Sequence, residues 1–302
     1  MKQLPETPVA PLGSDGVVRS AWSDFGLLTK ARLSLMVVFT TGAGFVLGSE
    51  GKSLVWSVLL STVAGTALAA GSAAALNQWM EVEVDSLMER TRIRPLPSGR
   101  MTRRQAFYSG LLLGLLGVGW LFFAGPPLAG VLAALTIAIY LLVYTPLKLR
   151  SAWCTIPGAV SGALPPVIGW VAAKPGTAWG GWVLFGILFF WQLPHFLAIA
   201  WMCREEYQRA GLVMISREDR DGRFTAAQAV FFSLALAVVS LVPAILGRAS
   251  VGYGVGALVL NLWFFVSAVV FYTRRDRPSA RRLFLVSIAF LPAILGILVF
   301  FR

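Results

Sequence analysis

The chain is poor in the residues that carry most soluble chemistry. Of its 302 residues only 13% are charged, two are cysteine and one is histidine. Charge this sparse excludes an ordinary soluble domain, in which about 25% of residues are charged. Cys154 and Cys203 have no metal-ligand spacing and support no disulfide framework. Acidic residues are scarce too, 14 against 26 Lys and Arg. No segment alternates apolar and polar residues as a membrane strand does, which excludes a transmembrane β-barrel. No periodic internal repeat is present. Residues 1–28 lack the charged start and short apolar core of a signal peptide, so no cleavable leader is expected; a short disordered cytoplasmic tail is.

What is abundant is apolar residues, 57% of the chain. They fall in nine stretches, 29–49, 54–76, 105–124, 127–147, 152–173, 178–201, 226–247, 252–272 and 281–301, each near the ~20 residues that a bilayer requires of a spanning helix. Gly162, Pro165, Pro166, Pro194, Pro243 and Pro292 lie inside them. Membrane helices tolerate such residues where packed neighbours satisfy the freed backbone groups. The predicted fold class is therefore an all-α polytopic membrane protein of nine transmembrane helices.

The net charge of +12 reports orientation and not a nucleic-acid partner. With the N-terminus inside, 22 of the 26 basic residues lie in inner segments, leaving Lys52, Lys174, Arg248 and Arg302 outside. That asymmetry predicts a cytoplasmic N-terminus, and an odd number of spans then leaves the C-terminus outside.

Apart from the tail, Glu50 and Asp276, the acidic residues form two clusters, both on the arginine-rich side: Glu81, Glu83, Asp85 and Glu89, then Glu205, Glu206, Glu218, Asp219 and Asp221. Charges at helix ends are ordinarily solvated or paired along the helix. The first cluster has more than that. Asn77, Glu81, Asp85 and Glu89 recur every fourth residue, which on a continuous helix makes a polar stripe about 18 Å long. Oxygen ligands of this kind suit Mg²⁺, which takes one or two carboxylates and leaves room for phosphate oxygens. Arg90 and Arg94 follow on a shared face before Pro95 and Pro97 end the helix, and arginine forks match phosphate. The pattern predicts a diphosphate site. In the second cluster Glu206 and Arg204 are placed to complete it, while Glu218, Asp219 and Asp221 read as a solvated loop.

Asn77-xxx-Glu81-xxx-Asp85 is similar to the NxxxDxxxD signature of the UbiA superfamily of intramembrane prenyltransferases, and YTPLK at Tyr144–Lys148 resembles the family's segment after the fourth helix. NQWMEVEVDSLMERTRIRPLP from Asn77, PGAVSGALPPVIGW from Pro157, WQLPHFLAIAW from Trp191 and REEYQRAGLVM from Arg204 resemble its haem-farnesylating branch, the haem O synthases. The likeness covers most of the chain. It implies a UbiA-type bundle over 29–302, with Mg²⁺ as cofactor and with farnesyl diphosphate and haem B as substrates. Asn77, Glu81, Asp85 and Glu206 would serve the metal, Asn77, Glu81 and Asp85 being the catalytic set. Arg90, Arg94, Lys148 and Arg204 would bind diphosphate, and His195 haem. It further implies a bacterial inner membrane, a cytoplasmic-facing site, lipid surroundings, no nucleic acid, and a haem A synthase or terminal oxidase as the partner receiving product.

The sequence departs from the superfamily in two places. Glu81 and Glu206 stand where Asp is usual, and Arg209 and Ala210 follow Glu205 and Glu206 by four residues, so no second DxxxD pair exists. Three alternatives remain open here. His195, about two turns from the inner end of its helix, is otherwise a hydrogen-bonded core residue. The acceptor is otherwise an aromatic acid such as 4-hydroxybenzoate. A secondary transporter also places ionisable residues in membrane helices, although near the midplane and in paired halves.

Overall fold

The computed structural model describes residues 20–176, 179–217 and 219–301. Among them are nine helices long and apolar enough to cross a membrane. In chain order, spans 1 to 9 are Ala31–Gly48, Trp56–Met80, Arg103–Phe123, Pro127–Leu147, Ala152–Ala173, Trp179–Met202, Arg223–Ile245, Val251–Arg274 and Arg277–Phe300. The largest differences from the hydropathy reading are at the end of span 2, which runs on from 76 to Met80, and at the start of span 9, which begins at Arg277 and not 281. In both places the helix outlasts its apolar stretch. Backbone hydrogen bonding carries it past the hydrocarbon boundary, and the added turns bear polar residues. Span 3 starts on a capping box between Thr102 and Gln105, and the Asp276 carboxylate caps span 9 through the Ser279 N–H at 2.8 Å.

One sequence expectation is corrected before span 1. Residues 1–19 lie outside the described residues, but Ala21–Leu28, read as disordered tail, is a helix. Leu28 is fully buried, Asp24 pairs with Arg100 at 3.0 Å, and Gln78 donates to the Leu27 and Leu28 carbonyls at 2.9 and 2.8 Å. These tertiary partners hold eight residues that would not be helical alone.

Span 5 is the most buried of the nine. It is a broken helix, Thr155–Ala163 then Pro165–Ala173, and it touches spans 1, 2, 4 and 6. Small residues let backbones meet here, as is usual between membrane helices. A Cβ on Gly169 would lie 1.9 Å from the Thr41 carbonyl oxygen, and one on Gly44 would lie 2.1 Å from that of Pro166. The obstacle is backbone in both cases and cannot rotate away. Gly169→Val is expected to destabilise the bundle by about 1–3 kcal/mol or more. Gly119→Ala, with nothing within 4 Å, should be silent. Thermal unfolding in detergent compares them; equal melting temperatures would refute the contact.

Spans 6 to 9 pack in succession, and span 9 closes back on spans 6 and 1. Their core includes the fully buried Tyr253, Phe264, Phe271 and Phe290. Leu112, Leu115, Phe123, Val238, Val259 and Leu262 are exposed on the outer surface, where lipid is the natural solvent.

Candidate active site

Span 2 stops just where its chemistry begins. Glu81 leaves the helical region (φ −103°, ψ 14°), a short helix Val82–Ser86 restarts, and turns follow through residue 100. The break corrects the expected stripe. Asn77, Glu81 and Asp85 stay together, but Glu89 falls in the turns and is exposed, and Arg90 and Arg94 are carried by those turns and not by a helix face. Thr91 holds the turn by donating its hydroxyl to the Asp85 carbonyl at 2.8 Å.

Lys30, Asn77, Glu81, Thr145 and Lys148 then form one hydrogen-bonded network, with the Asp85–Arg94 pair beside it. Asn77 is fully buried; its amide donates to Glu81 Oε2 at 2.9 Å and to Thr145 Oγ1 at 3.1 Å, and its Oδ1 accepts from Lys30 Nζ at 2.9 Å. The amide orientation follows, because lysine only donates and carboxylate only accepts. Lys148 Nζ donates to Glu81 at 2.7 and 3.1 Å and lies 4.5 Å from the centre of the Tyr144 ring. Arg94 pairs with Asp85 at 2.5 Å. A π-helical turn, Ile139–Tyr144, immediately precedes Thr145 and Lys148 in span 4, and the Thr145 hydroxyl donates to the Tyr140 carbonyl inside it at 2.8 Å. Such single-turn bulges inside α-helices are frequent at functional sites. Burial raises the Asp85 carboxyl above the usual carboxylate range, with Arg94 acting against it. The Glu81 charge nearby adds to that rise.

A second loop closes over the first. Span 6 ends at Met202, and Arg204–Arg209 forms a short helix. The Val213 N–H donates to the Lys148 carbonyl at 2.7 Å. Buried Met88, Ala210 and Leu212 pack with Val84, Tyr207 and Met214, fastening the two loops together. Burial pushes the Tyr207 hydroxyl up while Arg90 pulls it back, so Arg90 faces this second loop. The Arg204 guanidinium lies 4.4 Å from the Trp201 ring centre. Glu206 Oε2 is buried without a hydrogen-bond partner. Glu205 is exposed. Asp219 accepts from the Thr225 N–H at 2.7 Å and Asp221 pairs with Arg275 at 3.4 Å, so both brace the start of span 7. Glu218 lies outside the described residues.

Five expected residues thus meet, Asn77, Glu81, Asp85, Arg94 and Lys148, with Arg90 on the first loop turned towards the second, which carries Arg204 and Glu206. Lys30 and Thr145 were not anticipated. Lys30 sits at φ 48° between the first helix and span 1, and no sequence pattern ties it to a residue 47 positions away. Among the described residues no three His, Cys, Asp or Glu side chains are clustered so as to hold a metal by themselves. The donor chemistry nonetheless fits a hard divalent cation. It is all oxygen, and it includes the orphaned Glu206 carboxylate oxygen.

His195 lies apart from this network, on span 6. Its ring stacks on Trp191 and Phe284, with centroids 5.1 and 5.0 Å away, and its Nδ1 is 2.7 Å from the Ser287 hydroxyl. It is half-buried.

A membrane bundle with a broken helix thus gathers carboxylates, an amide and several cations at one end. The UbiA prenyltransferase family model matches residues 37–291, and the chain belongs to that family. It is 44% identical over 287 residues to the protoheme IX farnesyltransferase of Solibacter usitatus, covering 92% of this chain and 98% of that protein. Identity to the enzyme of the same name from Opitutus terrae is 43% over 283 residues, covering 93% and 95%. Among solved structures, a digeranylgeranylglyceryl phosphate synthase superposes with a TM-score of 0.78 at 15% identity, covering 92% of this chain and 97% of that one. A UbiA homologue from Archaeoglobus fulgidus bound to DMAPP and Mg²⁺ gives 0.67 at 14% identity, covering 91% and 99%. These two show the fold, and the family makes this a prenyltransferase and not a transporter.

Proposed function

We propose that the enzyme transfers the farnesyl group of farnesyl diphosphate to a vinyl group of haem B, giving haem O. The reading rests on one observation above others: identities of 36–44% to protoheme IX farnesyltransferases extend over 87–94% of this chain. The basic site at the ends of spans 2, 4 and 6 is the diphosphate end, and the excess of Lys and Arg supports a cytoplasmic-facing site, in a bacterial inner membrane on our reading.

Asn77, Glu81, Asp85 and Glu206 are the residues that would hold Mg²⁺. The ion, when bound, supplies positive charge to the departing diphosphate. Lys148 and Arg94 would turn from their carboxylate partners to donate to the diphosphate oxygens, joined by Lys30 and, from the rim, by Arg90 and Arg204. The allylic C–O bond breaks with its electron pair leaving on diphosphate. Tyr140 and Tyr144, with ring centres 5.2 Å apart beside Lys148, offer π-faces to the farnesyl cation, and the apolar bundle keeps water from it. The vinyl π-pair forms the new C–C bond, water captures the resulting cation, and loss of a proton leaves a hydroxyethylfarnesyl chain. His195 binds haem through its iron, imidazole being a common axial ligand. The product passes to a haem A synthase or terminal oxidase in the same membrane.

The test is a competition. Membranes containing the protein receive farnesyl diphosphate, Mg²⁺, haem B and 4-hydroxybenzoate, and products are read by mass spectrometry. Haem O alone, lost when EDTA removes the metal, is expected. Prenylated benzoate, or no transfer by folded protein, would overturn the haem assignment.

A further inference from the structure

We infer that Ser287 of span 9 is a positioning residue that fixes the His195 ring with its proton on Nδ1 and leaves Nε2 as a bare lone pair for iron. The second half of this inference rests on the proposed reaction; the first does not.

The proton assignment follows from which atoms donate. Ser287 has one hydroxyl hydrogen, and the Phe284 carbonyl, 2.6 Å away on the preceding turn, takes it. Towards His195 the hydroxyl can then only accept. The 2.7 Å contact is therefore Nδ1–H donating to Ser287 Oγ, and in the uncharged imidazole Nε2 carries no hydrogen. Nε2 has no hydrogen-bond partner among the described residues.

The ring cannot easily turn to exchange its nitrogens. Trp191 stacks on it at 23° between planes and Phe284 at 28°, while Phe196 meets it edge-on at 5.7 Å. Trp191 is itself held by its Nε1–H donating to the Ser287 carbonyl at 2.7 Å. Residue 287 thus grips the imidazole through its hydroxyl and the flanking indole through its backbone. Ser287 is fully buried.

This arrangement suits a metal-ligating histidine, whose second ring N–H is normally given to an orienting acceptor. Among the described residues no carboxylate touches the ring, so the imidazole is oriented without being made strongly basic. A ligand of moderate strength fits a haem that must be released as product.

His195 is the only histidine in the chain, which makes the test clean. The protein, purified on a histidine-free tag, is labelled with ¹⁵N-histidine and its single pair of ring nitrogens is read by NMR without haem. A protonated Nδ1 and an unprotonated Nε2 are expected. Ser287→Ala and Ser287→Cys should both move protonation towards Nε2, although cysteine keeps the shape of serine. An Nε2–H in the wild type, or a cysteine variant that is folded and unchanged, would overturn the assignment. Haem B is then added and reduced to the ferrous state. Resonance Raman should show an iron–imidazole stretch that His195→Ala abolishes, and Ser287→Ala should raise KM for haem about tenfold with KM for farnesyl diphosphate unchanged. Haem O formed with no iron–imidazole band would overturn the ligand role and leave the reaction standing. A correct NMR result with neither haem binding nor haem O would instead sink the proposed reaction.

Discussion

Asp85→Asn is expected to lower prenyl transfer at least about a hundredfold while leaving the protein folded, because it removes charge from a site built to need it. The side chain is almost fully buried, and burial already raises its carboxyl, so the folded state gives up little when the charge goes. The turn beyond it hangs from the Asp85 backbone carbonyl, which Thr91 grips and which asparagine retains. Arg94 loses its carboxylate, but its side chain is 21% exposed and can turn towards water. Turnover and melting temperature, measured on the same preparation, separate the two effects. Activity within a few-fold of wild type would remove Asp85 from the site. A collapsed melting temperature would make it a structural residue.

Lys148→Met should be as damaging, by a different route. Lys148 is the ammonium on Glu81, it lies over the Tyr144 ring, and its carbonyl anchors the second loop through Val213. Methionine fills a similar volume and keeps the backbone bond, so what is lost is one buried charge. Truncating one member of such a pair costs about 2–5 kcal/mol, much of it from the partner left unpaired. The binding of farnesyl diphosphate with Mg²⁺, followed by calorimetry, should weaken by at least about thirtyfold. The double variant Lys148→Met with Glu81→Gln should recover melting temperature, since no unpaired carboxylate remains, yet should not recover diphosphate binding. Recovery of both would mean that Lys148 serves only to neutralise Glu81.

The sequence by itself determined the class of protein and the nine spans found among the described residues, and it pointed to the end of the bundle where the candidate site residues gather. Each rests on a local physical property. Twenty apolar residues suffice to define a span, and the spacing of Asn77, Glu81 and Asp85 along one helical face survives even the break at Glu81. The family strings added an activity that spacing alone could not supply.

Only the tertiary structure decided what those residues touch. Glu89 was legible as a fourth member of the stripe, because periodicity assumes an unbroken helix; the turn that Thr91 ties to Asp85 carries it into solvent. Residues 21–28 lacked any pattern of their own, and their helix exists because Arg100 and Gln78, distant in sequence, provide partners for Asp24 and for the Leu27 and Leu28 carbonyls. Lys30 looked like a charge that sets orientation; its reach to Asn77 needs a left-handed residue and a neighbouring span. Ser287 carried no signal at all beside the lone His195, 92 residues earlier. Composition and period depend on neighbours along the chain, whereas a hydrogen bond between spans depends on which helix packs against which, and that is settled by the close approaches at Gly44 and Gly169 and by the bundle as a whole.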